Sequence, residues 1–507
     1  MKLRDTSTHT TQHPPLRDWQ QRCLSHAIAQ LSPEQSHFLC QATPGAGKML
    51  MAAVLADHLL QCGDVDFVIY LGPSCEVVNR AEETLADVTG LAMSGNLGAR
   101  GGCYTYQSLR TRLRAFQQLG QYYRVFLIWD ESHHAGRVPG AQQGANEWGQ
   151  ALLLLERNIT YTLALSGTPW RTDGSCLPLL RYLDVPSADN GGDAQEGQAT
   201  LLKQRLVPDF VYTLQEAVRD GVCRKPTIKL IDNPHIQLTI SHLKGKKPPE
   251  QKQFSSIPRL LRDPRVSYAD LLRHDTPMGA LLKKGVAQLR RLRQAQSAAG
   301  GLVVASDITH AEDIAEQLEA LGEDVCLVTS KTPNGHVKLQ AFRDSMQSWI
   351  VSVGMISEGV DIPRLRVCCY LSHIRTEQHF RQVLGRIIRR MGLHDADCYL
   401  FVLNERLLRR YAHRIADDLP DENSVVTVIP PDQAPLAAGY GNITPVPPFD
   451  NVMLPEEDTT MAPDDAAGIT FGPAMSTYAA AATAQPQWEH DMAFSQQFIE
   501  RLATLKL

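Results

Sequence analysis

Apolar residues in this chain gather into short runs that stop at glycine, hydroxyl or charged residues. Residues 125–129 read Val-Phe-Leu-Ile-Trp without a polar break, and Asp130 and Glu131 follow at once. A run of that length with no alternation predicts a strand buried on both faces of a parallel sheet, delivering acids at its C-terminal end. Residues 161–165 lead in the same way into Ser166-Gly167-Thr168, and residues 68–71 into Gly72-Pro73-Ser74. In the second half, residues 300–305 and 349–353 are further strand runs, the first passing into an amphipathic helical pattern over 310–318. Near the end, Trp488, Met492, Phe494, Phe498, Ile499 and Leu502 fall on a broad stripe with helical spacing, which predicts a terminal amphipathic helix. Strand and helix patterns that alternate with polar clusters at strand ends predict an α/β fold with its ligand crevice along those ends.

One cluster carries specific chemistry. Ala42-Thr43-Pro44-Gly45-Ala46-Gly47-Lys48-Met49 is a glycine-rich turn that runs on into Leu-Met-Ala-Ala-Val-Leu, the start of a buried helix. Small residues let backbone N–H groups close around a polyphosphate, Lys48 adds charge for its outer phosphates, and the helix N-terminus adds its dipole. The expected ligand is a nucleoside triphosphate. The full pattern opens on glycine and places Ser or Thr after the lysine, whereas here Ala42 opens it and Met49 follows. A thioether is a poor Mg²⁺ ligand. At the end of the 125–129 run, Asp130 is expected to hold the metal, directly or through water, and Glu131 to polarise the attacking water.

Together these clusters resemble those of superfamily 2 helicases and translocases of the DEAD/DEAH-box type, over most of residues 16–415. Leu16-Arg17-Asp18-Trp19-Gln20 resembles the adenine-reading segment, with Gln20 implied to pair with the base and Arg17 to stack on it. Pro73 and Ser74, and Thr105 and Gln107, match strand-end positions that hold nucleic-acid phosphates. Asp130-Glu131-Ser132-His133 is similar to the family's acidic box with serine in place of alanine, and Ser166 and Thr168 match the segment that, with His133, couples hydrolysis to movement. Gly359 and Asp361 fall in a match to the fifth motif, and Gln382, Gly385, Arg386 and Arg389 in a match to the sixth. Gln382, Arg386 and Arg389 stand at i, i+4 and i+7, so one helical face is expected to aim all three at a γ-phosphate held by the other domain. The resemblance is nearest to restriction-subunit members, which implies DNA rather than RNA as the track.

Charge distribution refines this picture. The chain has 507 residues, 43% of them hydrophobic, with a net charge of −5. Residues 416–507 hold 14 acids and two bases, so residues 1–415 carry 48 bases against 41 acids. The basic excess lies in the part that resembles a motor, and 13 bases stand against six acids between 200 and 265. That stretch is either an inserted phosphate-tracking contact or a solvated linker. No apolar run reaches the ~18 residues of a membrane span, and the eleven cysteines show no metal-binding spacing. A cytoplasmic protein is expected.

The organisation expected from these signals is a disordered leader over 1–15, then two tandem RecA-like domains with parallel sheets. The first covers 16–205 and the second 276–415, with a connector or insertion over 206–275 between them. A flexible, acidic, Pro/Ala-rich tail over 416–507 ends in the amphipathic helix, which docks either on the motor domains or on a partner protein. ATP and Mg²⁺ are the expected cofactors. No nuclease, methyltransferase or zinc module is legible.

Overall fold

The apolar runs pair edge to edge in a computed structural model that describes residues 14–132, 147–169, 176–186, 202–242, 248–353, 362–392, 395–417, 425–428 and 488–503. The first lobe contains β1 (His37–Ala42), β2 (Phe67–Gly72), β3 (Gly101–Thr105), β4 (Val125–Asp130) and β5 (Tyr161–Ser166). An antiparallel ribbon of β6 (Tyr182–Pro186) and β7 (Leu202–Leu206) follows, and then β8 (Phe210–Tyr212). All but the ribbon form one six-stranded parallel sheet in the order β3-β2-β4-β5-β1-β8. Strand alternation divides the side chains between two cores. Phe126, Ile128, Leu163 and Leu165 face the helices Asp18–Gln30 and Lys48–Gln61, whereas Leu127, Trp129 and Ala164 face the helices Tyr106–Tyr122 and Glu147–Leu155. Both faces are therefore apolar, the reason these runs show no polar alternation.

The second lobe begins earlier than expected. β9 (Lys225–Asp232), from the stretch read as connector, pairs in parallel with the last strand of the second sheet. β10 (Ile236–His242) and β11 (Glu250–Phe254) then form a small antiparallel sheet of their own. The second sheet takes in β12 (Gly300–Ala305), β13 (Val325–Val328), β14 (Trp349–Ser352), β15 (Leu365–Leu371) and β16 (Asp397–Leu403), in the order β13-β14-β12-β15-β16-β9. All residues of β12 and β15 are buried. β17 (Val425–Val428) joins the ribbon of the first lobe by pairing with β7.

The C-terminal helix is corrected: those residues form two strands. β18 (Trp488–Phe494) adds to the small sheet beside β10, and β19 (Ile499–Ala503) adds antiparallel to β9 at the edge of the second sheet. Met492 lies opposite Leu238, and Phe494 opposite Ile236. The period-two pair Met492/Phe494 was hidden within a wide stripe, and two open sheet edges offered the backbone partners that no helix needs. The stretches 1–13 and 429–487 lie outside the described residues, as does the lysine cluster at 244–247.

Candidate active site

The parallel sheet brings the C-terminal ends of β1, β4 and β5 side by side. Gln41 is in register with Ser166, and Asp130 with Leu165, so the glycine-rich turn, the acids and the Ser-Gly-Thr segment share one edge. Gly45 and Gly47 have φ of 80° and 92°, values that L side chains rarely adopt, and Gly47 opens the helix Lys48–Gln61. The turn is pinned from three sides. The N–H of Thr43 donates to the Tyr212 carbonyl on β8 at 3.1 Å, and that of Ala46 to the Thr43 carbonyl at 3.3 Å. Arg17 Nη1 donates to the Ala46 carbonyl at 2.7 Å, and Gln20 Nε2 to the Gly47 carbonyl at 2.8 Å. Lys48 Nζ rests on the Ala42 carbonyl at 3.1 Å.

Arg17 and Gln20 both lie against the turn. Gln20 is buried, and its amide oxygen accepts from the Arg17 N–H at 2.8 Å while its nitrogen holds Gly47. Through that nitrogen Gln20 braces the turn.

At the end of β4, Asp130 Oδ2 accepts from the Tyr70 hydroxyl at 2.9 Å, and Oδ1 from the Glu131 N–H at 3.0 Å. Tyr106 donates its hydroxyl to the Asp130 carbonyl at 2.8 Å. Burial and the neighbouring Asp130 hold the Tyr70 phenol well above its usual pKa, so it stays a neutral donor. Glu131 has a φ of 51°, uncommon for a residue with a side chain and typical of functional sites. Ser132 is buried, and its hydroxyl has no hydrogen-bond partner among the described residues, as befits a position the resemblance assigns to alanine. His133 lies outside the described residues, as do Gly359 and Asp361.

Ser166 Oγ accepts from the Thr168 N–H at 3.0 Å, and both residues are buried. A Cβ on Gly167 would stand 2.8 Å from Pro44 Cδ, so this segment is seated directly on the glycine-rich turn. Farther along the edge, Gly72 is in register with Thr105. Ser74 caps the helix Cys75–Thr89 by accepting from the Val77 N–H at 3.4 Å, and Thr105 precedes the helix Tyr106–Tyr122. Pro73, Ser74 and Thr105 are half-buried and Gln107 is exposed, and the fold places all four at two neighbouring helix N-termini.

The second lobe meets the turn from above. Gln382, Gly385 and Arg386 lie on the helix Glu377–Ile387, capped by Thr376. A Cβ on Gly385 would come within 2.8 Å of Pro44 Cβ, and a Cβ on Gly45 within 2.9 Å of Arg389 Cγ. The helix stops at Ile387, so the expected i+7 phase does not place Arg389. A β-bridge to Cys223 does. Gln382, Arg386 and Arg389 are all half-buried at this junction. Behind the turn a cavity of about 210 Å³ separates Gln41, Pro44 and Tyr212 of the first lobe from Arg381, Leu384 and Ile388 of the second.

A nucleotide and Mg²⁺ can be tested against this arrangement. The helix N-terminus presents its first-turn N–H groups to the glycine-rich turn, and no β-carbon at 45 or 47 obstructs approach. Among the described residues no group of three His, Cys, Asp or Glu side chains could cage a metal. Mg²⁺ is commonly held by one or two carboxylates together with phosphate oxygens and water, and Asp130 is the carboxylate that β4 brings to this edge. Met49 is half-buried against the core of the first lobe.

Residues 13–171 match the family model of the type III restriction enzyme res subunit. The fold is similar to that of a fragment assigned as the HsdR subunit of a type I restriction enzyme from Vibrio vulnificus YJ016. That likeness has a TM-score of 0.53 at 15% identity and covers 82% of this chain and 71% of the other. The matched stretch is the one that carries the glycine-rich turn, the acids and the Ser-Gly-Thr segment. The two α/β lobes have the tandem RecA-like fold expected from the sequence. Among curated proteins, the chain is 29% identical over 394 residues to an uncharacterized protein of Mycobacterium tuberculosis (strain ATCC 25618 / H37Rv), covering 75% of this chain. An uncharacterized protein of Mycobacterium leprae (strain TN) is likewise 29% identical, over 391 residues. The chain spans 60% of the length of these relatives.

Sequence reasoning missed Tyr70, Cys223, Arg224 and Asp395. Tyr70 is legible in hindsight, since it sits on β2 directly beside the strand that ends in Asp130. The other three gave no signal, because their roles depend on contacts between segments more than 130 residues apart.

Proposed function

We propose that this protein is a nucleic-acid-dependent ATPase of the helicase or translocase class, working on DNA. The observation that carries the reading is the contact of Gly45 with Arg389 and of Pro44 with Gly385, which sets the phosphate turn of one lobe against the arginine segment of the other. In this reading the backbone of residues 43–47 and Lys48 hold the triphosphate. Asp130 would hold Mg²⁺, which would supply charge neutralisation for the phosphates. Glu131 orients and deprotonates the attacking water, and Arg386 and Arg389, with Gln382 beside them, offset the charge that develops on the transferred phosphoryl group. Pro73, Ser74, Thr105 and Gln107 hold strand phosphates from the first lobe, and Ser166 and Thr168 link them to the turn through Gly167. Opening and closing of the cleft then changes the grip on the strand, so that hydrolysis drives stepping. DNA is favoured over RNA because the matched family model is that of a restriction subunit. All eleven cysteines are free, which suits a reducing cytoplasm, and no described helix is long and apolar enough to cross a membrane.

The test is ATP hydrolysis by the purified chain alone and with duplex DNA, single-stranded DNA or RNA. Stimulation by DNA, lost in both Lys48→Ala and Glu131→Gln, is the expected result; equal rates with and without nucleic acid would overturn the reading. A second reading has its own observation. Met49 is packed against the core where a metal-binding hydroxyl is usual, which supports a nucleotide-gated binding subunit that hydrolyses poorly. ATP binding with no turnover under any of these conditions would select it.

A further inference from the structure

Between β8 and β9 the chain makes a short strap, residues 220–224, that no recognised motif covers. Its partners lie on both sides of the cleft. Arg224 is fully buried and spends all five guanidinium N–H donors within the second lobe. Nε and Nη2 form a two-pronged pair with the buried Asp395, the Nε bond measuring 2.7 Å. Nη1 donates to the carbonyls of Leu365 and Ile387 at 2.6 and 2.7 Å, and Nη2 to that of Pro363 at 2.6 Å. The Arg224 backbone N–H donates to the Ile388 carbonyl at 2.7 Å. One residue earlier, Cys223 forms the β-bridge to Arg389, and its thiol donates to the Pro44 carbonyl of the phosphate turn across a 3.7 Å separation. Two residues before that, the Gly221 carbonyl accepts from Arg390 Nη1 at 3.1 Å.

The strap therefore runs antiparallel to residues 387–390 and binds them at successive points, just where the helix has ended and Arg389 has lost helical support. Asp395 is itself fixed, accepting from the Met391 N–H at 2.9 Å and pairing with Arg366 at 3.1 Å. We infer that Cys223 and Arg224 are positioning residues: Arg224, locked to Asp395, holds the end of the arginine segment, and Cys223 latches that segment to the phosphate turn when the lobes close. This rests on the ATPase reading above. Burial pushes the Cys223 thiol up to about 12 despite the nearby cations of Arg17, Arg389 and Lys48, which keeps it a neutral S–H donor toward Pro44. Opening the cleft breaks that bond and uncovers the sulfur.

A double-mutant cycle on the full chain separates positioning from simple structural support. Cys223→Val removes the donor at similar volume and is expected to lower kcat by about ten-fold while the KM for ATP stays within about two-fold. Cys223→Ser, which keeps a donor, restores most of the loss. In an Arg389→Ala background Cys223→Val has no further effect, because the residue acts through Arg389. An equal fold-loss in both backgrounds, or wild-type kcat in Cys223→Val, overturns the inference. A wild-type chain that binds ATP without turning over would instead sink the ATPase reading, and the latch is then read by alkylation. Iodoacetamide labelling of Cys223, followed by peptide mass spectrometry, is expected to slow on adding a non-hydrolysable ATP analogue and to quicken in Asp395→Asn. Labelling indifferent to both overturns the latch.

Discussion

At the scale of single residues, the site is a set of donors and acceptors whose partners are already assigned within the chain. Asp130 is held by Tyr70 and by the N–H of its neighbour, and Lys48 by the Ala42 carbonyl, so each charged group has a fixed partner within the chain. Such preorganisation is what a phosphoryl-transfer site needs, because positioning and electrostatics supply most of its effect. Met49 is the exception, with its side chain against the core at the position where the resemblance expects a metal-binding hydroxyl. Met49→Thr is expected to raise apparent Mg²⁺ affinity and to increase turnover several-fold, roughly 1 kcal/mol of added metal binding. A magnesium titration of ATPase rate checks it; an unchanged titration curve would mean that Asp130 and water already satisfy the metal.

Elements divide the labour differently. The buried strands are fixed by composition, since runs such as β4 and β15 have no polar face to turn to water. Edge strands are decided by what lies beside them. β18 and β19 close the open edges of β10 and β9, and Glu500 pairs with Lys229 and Lys284 at 3.2 and 2.8 Å. His274 lies 2.6 Å from the Met492 carbonyl, and Asn233 donates to that of Ser495 at 2.8 Å. Deleting residues 488–507 is therefore expected to speed hydrogen exchange across 225–232 and 236–242 and to promote self-association through the bared edges. Exchange mass spectrometry reads the first and light scattering the second. Unchanged protection of β9 would show that these strands are an ornament rather than part of the second lobe.

For the whole molecule, the decisive quantity is the fit between the lobes. Glycine at 385 permits an approach that any β-carbon would prevent, since it would lie 2.8 Å from Pro44 Cβ. Gly385→Ala keeps the helix, for which alanine is the better former, and wedges the cleft. Turnover is expected to fall by about 10- to 100-fold, the scale on which a shift of an ångström at a reacting centre acts. Circular dichroism and ATP affinity are expected to change little. Full activity in this variant would remove the close approach from the mechanism.

The sequence by itself determined the local parts. The placement of the turn at 43–49, of the acids after β4, of the Ser-Gly-Thr segment and of residues 73, 74, 105 and 107 at strand ends was legible, because each depends on a strand run and the few residues that end it. The same holds for Gln382 and Arg386, which share a helix whose pattern is local. Arg389 was found by number but not by support: helical phase placed it, whereas the structure places it through Cys223, 166 residues away. The contacts of Arg17 and Gln20 with the turn were not foreseen, since carbonyls of a folded turn are not visible in a motif. β9 joined the second sheet through an edge that the connector reading did not foresee. The terminal strands were misread for one reason. Whether a marginal apolar stripe becomes helix or strand depends on an unpaired edge elsewhere, and only tertiary structure brings that edge within hydrogen-bonding reach.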